Sequence, residues 1–360
     1  MIYLLLVSAF VSISLFEGLV LIVLLYTAYL MLKGEIRPKG ILGLPLVMYS
    51  VPSFASSVAY YPGKAIERSF FLLSYFYGQR LQGRRELLLR INYTLLAFGF
   101  LLIPVLLWKH YTKGEISLLW GGPFEVSNFY SLFFLASLSL LLYKKRPVYV
   151  IPAMLFLVVV FFSQRRSTLI GLVLALFMLL WLYRHKLSKR SMLGVTFGVL
   201  SLILLLGVFF YYKDPRIRVV FEKGISLETL DEFSSKRLYN LRSGLMVIRD
   251  DFKEKNLFAI LFGHGINPAE RLPYPSVVGG YESVFVVSEF TERGLLGLLG
   301  VLWFMFAYFR RLLVYRLDDP LKIPFLLMLC VHLGGIVFTG FWDAMLPLYL
   351  IMFRMVEDGS

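Results

Sequence analysis

Apolar runs of membrane-crossing length alternate with short polar segments along most of the chain. A helix needs about 20 apolar residues, in a range of about 17–25, to cross a hydrocarbon core of about 30 Å. Runs at 41–59, 88–108, 126–143, 147–163, 167–183, 191–212, 294–309 and 321–339 meet or approach that length, and a shorter one at 341–353 closes the series. The run 2–33 would span about 48 Å as one helix at about 1.5 Å per residue. Glu17 lies in its middle, which predicts two helices meeting there, with a single long tilted helix as the alternative. No small-residue cleavage site follows the first run, so it reads as a retained membrane segment. The stretch 66–79 is weaker, with Glu67 and Arg68 at its start.

Basic residues orient the series, because Lys and Arg concentrate in cytoplasmic loops. One alternating set of loops carries Lys33, Arg37 and Lys39; Arg80, Arg84, Arg85 and Arg90; Lys144, Lys145 and Arg146; Arg184, Lys186, Lys189 and Arg190; Arg310, Arg311, Arg316 and Lys322; and Arg354. Loops 34–40 and 80–90 are both basic, so an even number of crossings separates them, and 66–79 must be one. The pattern predicts an all-α polytopic bundle of about 12 transmembrane helices, or 11 if 2–33 is one helix, with both termini cytoplasmic. Helices over 1–212 precede an outer, periplasmic loop at 213–282, and helices over 283–360 follow it. That loop holds 11 basic and 10 acidic residues. Within it Leu238, Leu241, Leu245, Ile248 and Phe252 recur at helical spacing, predicting an amphipathic helix capped by Ser234 or Ser235.

Composition agrees: 58% of the 360 residues are hydrophobic and 17% charged, against about 45–50% and about 25% in soluble domains. A water-soluble enzyme and a disordered chain are excluded. The net charge of +14 suggests nucleic acid until its placement is considered. Nearly all of it lies on the basic loops, which anchor the protein at a lipid surface, so no nucleic-acid partner is expected. The single cysteine, Cys330, excludes an internal disulfide and a Cys-based zinc site. No His/Asp/Glu cluster has metal-site spacing, and no cofactor motif is present.

Several residues break the pattern. Arg165 and Arg166 sit between two apolar runs on the outer side by parity, against the positive-inside bias. Ionisable groups at that depth are costly and tend to be functional. They also open a helix, whose N-terminus favours an anion, and arginine forks match phosphate oxygens. The plainer alternative is an interfacial turn whose arginines touch lipid headgroups. Arg237 and Arg242 flank the stripe of the loop helix, where a solvated face is the alternative. Glu282, Ser283, Val286, Glu289 and Arg293 share one helical face. Glu289 and Arg293 form an i,i+4 pair, whereas Glu282 has no such partner and could act as a general base or cap the helix. His264 stands out in Gly263-His264-Gly265, and His332 reads as a helix–helix contact.

The order of these segments resembles the O-antigen ligase / O-antigen polymerase family of membrane glycosyltransferases over roughly residues 90–310. The stretch Trp120-Gly121-Gly122-Pro123-Phe124-Glu125-Val126-Ser127-Asn128 is similar to the family's turn before a central helix. Ser163 to Leu172 is similar to its Ser-Arg-Gly-type motif, with Arg166 at the arginine position. Lys236-Arg237-Leu238-Tyr239, then Leu257 to Gly265, resemble its Arg-Leu-x-x-Trp segment and following Gly-x-Gly. Glu282-Ser283 through Glu292-Arg293-Gly294-Leu295-Leu296-Gly297 resembles the segment ending in Glu-x-Gly-x-x-Gly. Where ligases carry a histidine this chain has Ser283-Val284, and Glu282-Ser283 looks more like polymerase members.

The resemblance implies a multi-pass protein of the bacterial inner membrane with a periplasmic active site. It implies transfer of an undecaprenyl-diphosphate-linked glycan to a sugar hydroxyl, with loss of the lipid diphosphate and inversion at the anomeric carbon. The acceptor would be a growing glycan for a polymerase, or lipid A-core for a ligase. A chain-length regulator protein is an expected partner of a polymerase. Arg166 and Arg237 would be catalytic in neutralising the diphosphate without a metal, and Glu282 would be the base. Arg165, Arg242 and His264 are the substrate-binding candidates, His264 doubling as the alternate base. The reading from another class is a lipid-linked glycan transporter or flippase, for which an internal repeat and charges at the bilayer midplane are expected; the sequence has no evident repeat.

Overall fold

A computed structural model describes residues 1–186, 234–277, 280–336 and 340–357, with isolated positions between 207 and 231. The expected crossing at 191–212 and the first part of the outer loop lie outside the described residues, isolated positions apart. Everything regular among the described residues is helical, and the chain is a helical membrane protein. Five helices among the described residues are long and apolar enough to cross a bilayer: α2 (Ile13–Leu32), α5 (Arg85–Lys113), α6 (Pro123–Lys144), α8 (Arg166–Tyr183) and α11 (Phe285–Val314). Shorter helices are α1 (Ile2–Val11), α3 (Gly43–Ser57), α4 (Pro62–Phe70), α7 (Val150–Phe162), α9 (Arg237–Glu254), α10 (Leu257–Phe262), α12 (Ile323–Gly335) and α13 (Leu346–Arg354).

The first apolar run does divide in two, but at Ser12 and not near Glu17. Ser12 is extended (φ −157°, ψ 127°), while Glu17 lies inside α2. A glutamate that shares the half-exposed side of a helix need not end it, whereas Ser competes for backbone hydrogen bonds and favours a boundary. The weak stretch 66–79 is α4 continued by a 3₁₀ helix over Phe71–Leu81. With a rise of about 1.5 Å per α residue and about 2.0 Å per 3₁₀ residue, the pair covers about 35 Å, enough for a hydrocarbon core.

Helices α12 and α13 are buried along their whole length, as expected of segments apolar all round. Close approach of α8 to α12 depends on glycine. A Cβ on Gly171 would lie 1.9 Å from the Val331 carbonyl oxygen, and one on Gly334 would lie 2.4 Å from Gly171 Cα. Small residues at such crossings let backbones meet where lipid supplies no hydrophobic drive.

The basic loops meet at one end of the bundle. Arg80 pairs with Glu35 at 3.3 Å and Arg85 with Asp319 at 2.7 Å. Lys186 Nζ donates to the Asp318 carbonyl at 2.8 Å. The buried Arg354–Glu357 pair (3.1 Å) ties the last turn to the 39–41 loop, with Arg354 donating to the Lys39 carbonyl and Ile41 N–H to Glu357. A topology reporter fused after Lys186 is expected to be active only inside the cell, and one fused after Ser235 only outside. A cytoplasmic signal from the Ser235 fusion overturns the orientation.

The loop helix forms at Arg237–Glu254, but its N-cap is Lys236, left-handed and without a side-chain capping bond, and not Ser234 or Ser235; Ser234 Oγ, two residues earlier, accepts from the Arg237 N–H at 3.2 Å. The orientation of the helix is not given by the apolar stripe. The buried face is Asn240, Ser243, Gly244, Val247 and Asp251, while Leu245 and Phe252 on the apolar stripe are exposed. The polar side chains turn inward because the protein offers them partners. Asn240 Nδ2 donates to the Glu282 carbonyl (3.0 Å), and Ser243 Oγ donates to the Pro275 carbonyl (2.7 Å).

Candidate functional site

A cavity of about 290 Å³ opens at the end of the bundle opposite the paired basic loops. One wall is charged: Arg68 from α4, Arg237 from α9, Glu282 from the turn before α11, and Glu289, Glu292 and Arg293 from α11. The other is largely neutral: Phe124 and Asn128 from α6, Thr168 from α8, His332 from α12, and Trp342. Arg165 lines the cavity from the residue before α8, reached through a left-handed Gln164 (φ +54°).

Of the catalytic and substrate-binding candidates named from the sequence, Arg165, Arg237 and Glu282 come together here. Arg166 opens α8 but is not among the lining residues, and it has a contact of its own. Arg242 is exposed and outside the cavity. His264 also lies outside, its Nε2 2.9 Å from Asp251 Oδ2. Residues placed in the cavity that sequence reasoning did not assign to a site include Arg68, Glu292, Arg293, Asn128 and Trp342. Arg68 carried a usable signal: like Arg165, it is a cation on the outer side by parity.

The cations differ in how they are held. Arg293 is saturated, with Nη1 2.9 Å from Glu289 and 3.0 Å from Glu292, Nε 3.3 Å from Ser53 Oγ, and its plane over the Tyr49 ring at 4.9 Å. The i,i+4 pair read from the sequence is thus part of a buried, satisfied network, and Glu289 also accepts from Phe341 N–H at 2.6 Å. Removing one partner of such a network costs about 3–5 kcal/mol. Arg237 is the opposite case. Its Nη1 is buried with no hydrogen-bond partner among the described residues. A buried donor left unmade is costly, and burial pulls this guanidinium below its ordinary pKa, offset by Glu282 and reinforced by Arg165. Neither Arg165 nor Arg68 forms an ion pair among the described residues. Three cations therefore converge on one cavity, with Glu282 as a carboxylate not tied into the ion-pair network.

Glu282 is open to the cavity but walled in by protein. That desolvation pushes its pKa up, the neighbouring Glu292 adds to it, and Arg237 and Arg68 oppose it. Asn240 fixes the turn from which Glu282 projects, accepting from Val277 N–H (3.0 Å) and donating to the Glu282 carbonyl. On the neutral wall Thr168 Oγ1 donates to Asn128 Oδ1 (3.3 Å), and Asn128 Nδ2 donates to the buried Asp343 (3.4 Å). His332 Nε2 lies 2.9 Å from the Phe341 carbonyl, a structural contact between α12 and the following segment.

The two glycine motifs form one structural unit. Gly294 interrupts α11 with φ +65° and ψ −167°, a conformation essentially confined to glycine. The Thr291 and Glu292 carbonyls instead accept from the His264 and Gly265 N–H groups, at 2.9 and 2.8 Å. Gly263 lies so close that a Cβ would be 2.3 Å from Arg293 N. Gly294→Ala would place its Cβ 2.4 Å from the Leu261 carbonyl carbon. It should lower stability by about 1–3 kcal/mol from backbone strain alone, with further loss from the collision. Thermal unfolding in detergent measures this, and an unchanged midpoint would show that the kink is dispensable.

No family model and no solved structure matches the chain. A search of curated proteins finds an uncharacterized protein of Aquifex aeolicus (strain VF5), 36% identical over an alignment of 372 positions that covers 99% of this chain and 96% of that one. With that identity over nearly the whole of both chains, the protein belongs to the same family as this Aquifex aeolicus protein.

Proposed function

We propose that the protein is a membrane glycosyltransferase of the O-antigen polymerase/ligase type, the polymerase reading being favoured. The observation that carries this is the buried, unpartnered Nη1 of Arg237 in a cavity it shares with Arg165 and Arg68. Three arginines around one cavity suit a diphosphate, whose oxygens arginine forks match. Glu282 supplies the second requirement, a base near the cations. The acceptor hydroxyl oxygen attacks the anomeric carbon of the lipid-linked glycan as Glu282 takes its proton. The bond from that carbon to the diphosphate oxygen breaks, and the charge left on undecaprenyl diphosphate is stabilised by Arg237, Arg165 and Arg68.

In this reading the full chain has about 12 crossings in the bacterial inner membrane. Both termini are cytoplasmic, and the cavity faces the periplasm. Donor and acceptor are an undecaprenyl-diphosphate-linked glycan and a glycan hydroxyl, with a chain-length regulator as a possible partner; a ligase would use lipid A-core as acceptor.

Purified protein in vesicles with a lipid-linked glycan tests the activity: release of undecaprenyl diphosphate with a longer, inverted glycan is expected. Intact lipid-linked glycan moving between leaflets would mean a transporter. Glycans of a deletion strain separate the two enzyme readings. Single-repeat caps mean polymerase, and loss of all caps with accumulation of lipid-linked polymer means ligase.

A further inference from the structure

Helix α9 buries Asn240, Ser243 and Asp251 with Gly244 and Val247, and leaves its apolar stripe uncovered, half-buried at Leu238, Leu241 and Ile248 and exposed at Leu245 and Phe252, unlike a helix covering a soluble core. Leu245 is 49% exposed and Phe252 57%. The chain then turns at Lys255, which is left-handed (φ +55°), and enters α10, capped by Asn256 accepting from Ala259 N–H at 3.2 Å. All six residues of α10, Leu257–Phe262, are apolar, yet only Ala259 is buried. Leu257 is 69% exposed and Phe258 57%.

This surface does not stop at α10. The α10 backbone lies against Gly294 at the kink of α11. From there Leu295, Leu299, Leu302, Trp303 and Phe306 continue as one exposed apolar stripe down α11, a helix of membrane-crossing length. Cations lie beside the apolar face at the α9–α10 corner. Lys253 and Lys255 are exposed there, with Arg249 one turn earlier paired to Asp250; of the acidic residues in the same stretch, Glu254 is exposed and Asp251 faces inward to His264. An apolar face flanked by Lys and Arg, joined without a break to a membrane-facing helix, is the pattern of a segment lying in the bilayer interface.

We propose that the apolar stripe of α9 and the exposed face of α10 bed in the outer leaflet of the membrane, with Lys253 and Lys255 at the lipid phosphates. The occupant of this face is the bilayer. The bedding holds whatever chemistry the cavity performs. Its consequence is positional: α10 runs directly into Gly263-His264-Gly265, whose N–H groups hold the Thr291 and Glu292 carbonyls. The height of α10 in the leaflet therefore sets the height of the cavity wall relative to the headgroups.

The one cysteine, Cys330, is buried, so single labels can be introduced at Leu245→Cys, Phe258→Cys and Glu254→Cys in the full chain. These are reconstituted in phosphatidylethanolamine/phosphatidylglycerol vesicles and read by spin-label accessibility. At 245 and 258, oxygen should collide readily and a water-soluble nickel chelate poorly, at a depth of about 5–10 Å below the phosphates. The label at 254 should be open to the chelate. Bromine on the lipid acyl chains should quench a fluorophore at 258 and spare one at 254. Equal chelate access at all three sites overturns the proposal. So does shielding of 245 and 258 from both reagents without bromine quenching, which would put another protein or a second copy of this chain on the face.

Discussion

Arg237→Ala is expected to abolish measurable glycan transfer while leaving insertion and abundance near normal. The side chain lines the cavity with an unpartnered, buried Nη1, so its removal breaks no side-chain hydrogen bond or ion pair among the described residues, unlike removal of Arg293. Loss of a donor aimed at developing charge costs about 10²–10³ in rate where such groups have been removed. Arg237→Lys should recover only part of this, since an ammonium is a point charge without the planar fork. Two comparisons give the experiment its specificity. Arg166, outside the cavity lining, and Arg242, exposed, should each tolerate alanine better than Arg237 does. Release of undecaprenyl diphosphate by purified variants in vesicles, at matched protein amounts, measures all four. Full activity of Arg237→Ala, or a larger loss in Arg166→Ala, would move the diphosphate site away from the cavity.

The contrast between Arg165 and Arg166 marks how far the sequence could be read. Misplaced charge located the turn between α7 and α8, because the cost of a cation beside apolar runs depends only on chain order and hydropathy. Which of the two neighbours faces the cavity depends on a left-handed Gln164 and on where α8 begins, and neither is encoded in hydropathy. The same limit applies to α9. Periodicity found the helix and its apolar stripe, but a stripe does not say whether its partner is protein or lipid. Hydrogen bonds from Asn240, Ser243 and Asp251 turn the polar face inward, which periodicity does not encode. The parity of basic loops predicted a crossing in 66–79 where hydropathy was weak. That stretch is an α-helix continued by a 3₁₀ segment, whose larger rise per residue would need fewer apolar residues to reach a given thickness. Convergence of Arg68 with Arg237 and Glu282 joins segments about 170 and 215 positions apart in the chain. Contacts at such separation follow from packing and leave no local pattern to read.

Glu282→Gln carries the second large effect and separates two accounts of the base. The amide keeps the size and the hydrogen-bonding reach of the carboxylate but cannot take a proton. The donor should still bind, because Arg68, Arg165 and Arg237 are untouched, and turnover should fall by about 10²–10⁴-fold, the usual worth of general-base catalysis. His264→Ala should be much milder in turnover. Its Nε2 is engaged with Asp251 outside the cavity, and its main-chain N–H contact to Thr291 survives the substitution. The pH dependence adds a signature that a merely structural role would not give. A base works ionised, and the walls of the cavity, with Glu292 beside it, hold the Glu282 pKa above the ordinary carboxylate value. Wild-type activity should therefore fall, as pH is lowered, on an acid limb lying above the usual carboxylate range. Glu292→Gln, by removing a like charge, should shift that limb to lower pH. In Glu282→Gln the limb should vanish from the residual activity. A dead His264→Ala enzyme beside an active Glu282→Gln enzyme would transfer the base to the loop, and an unchanged acid limb in Glu282→Gln would assign that limb to another group.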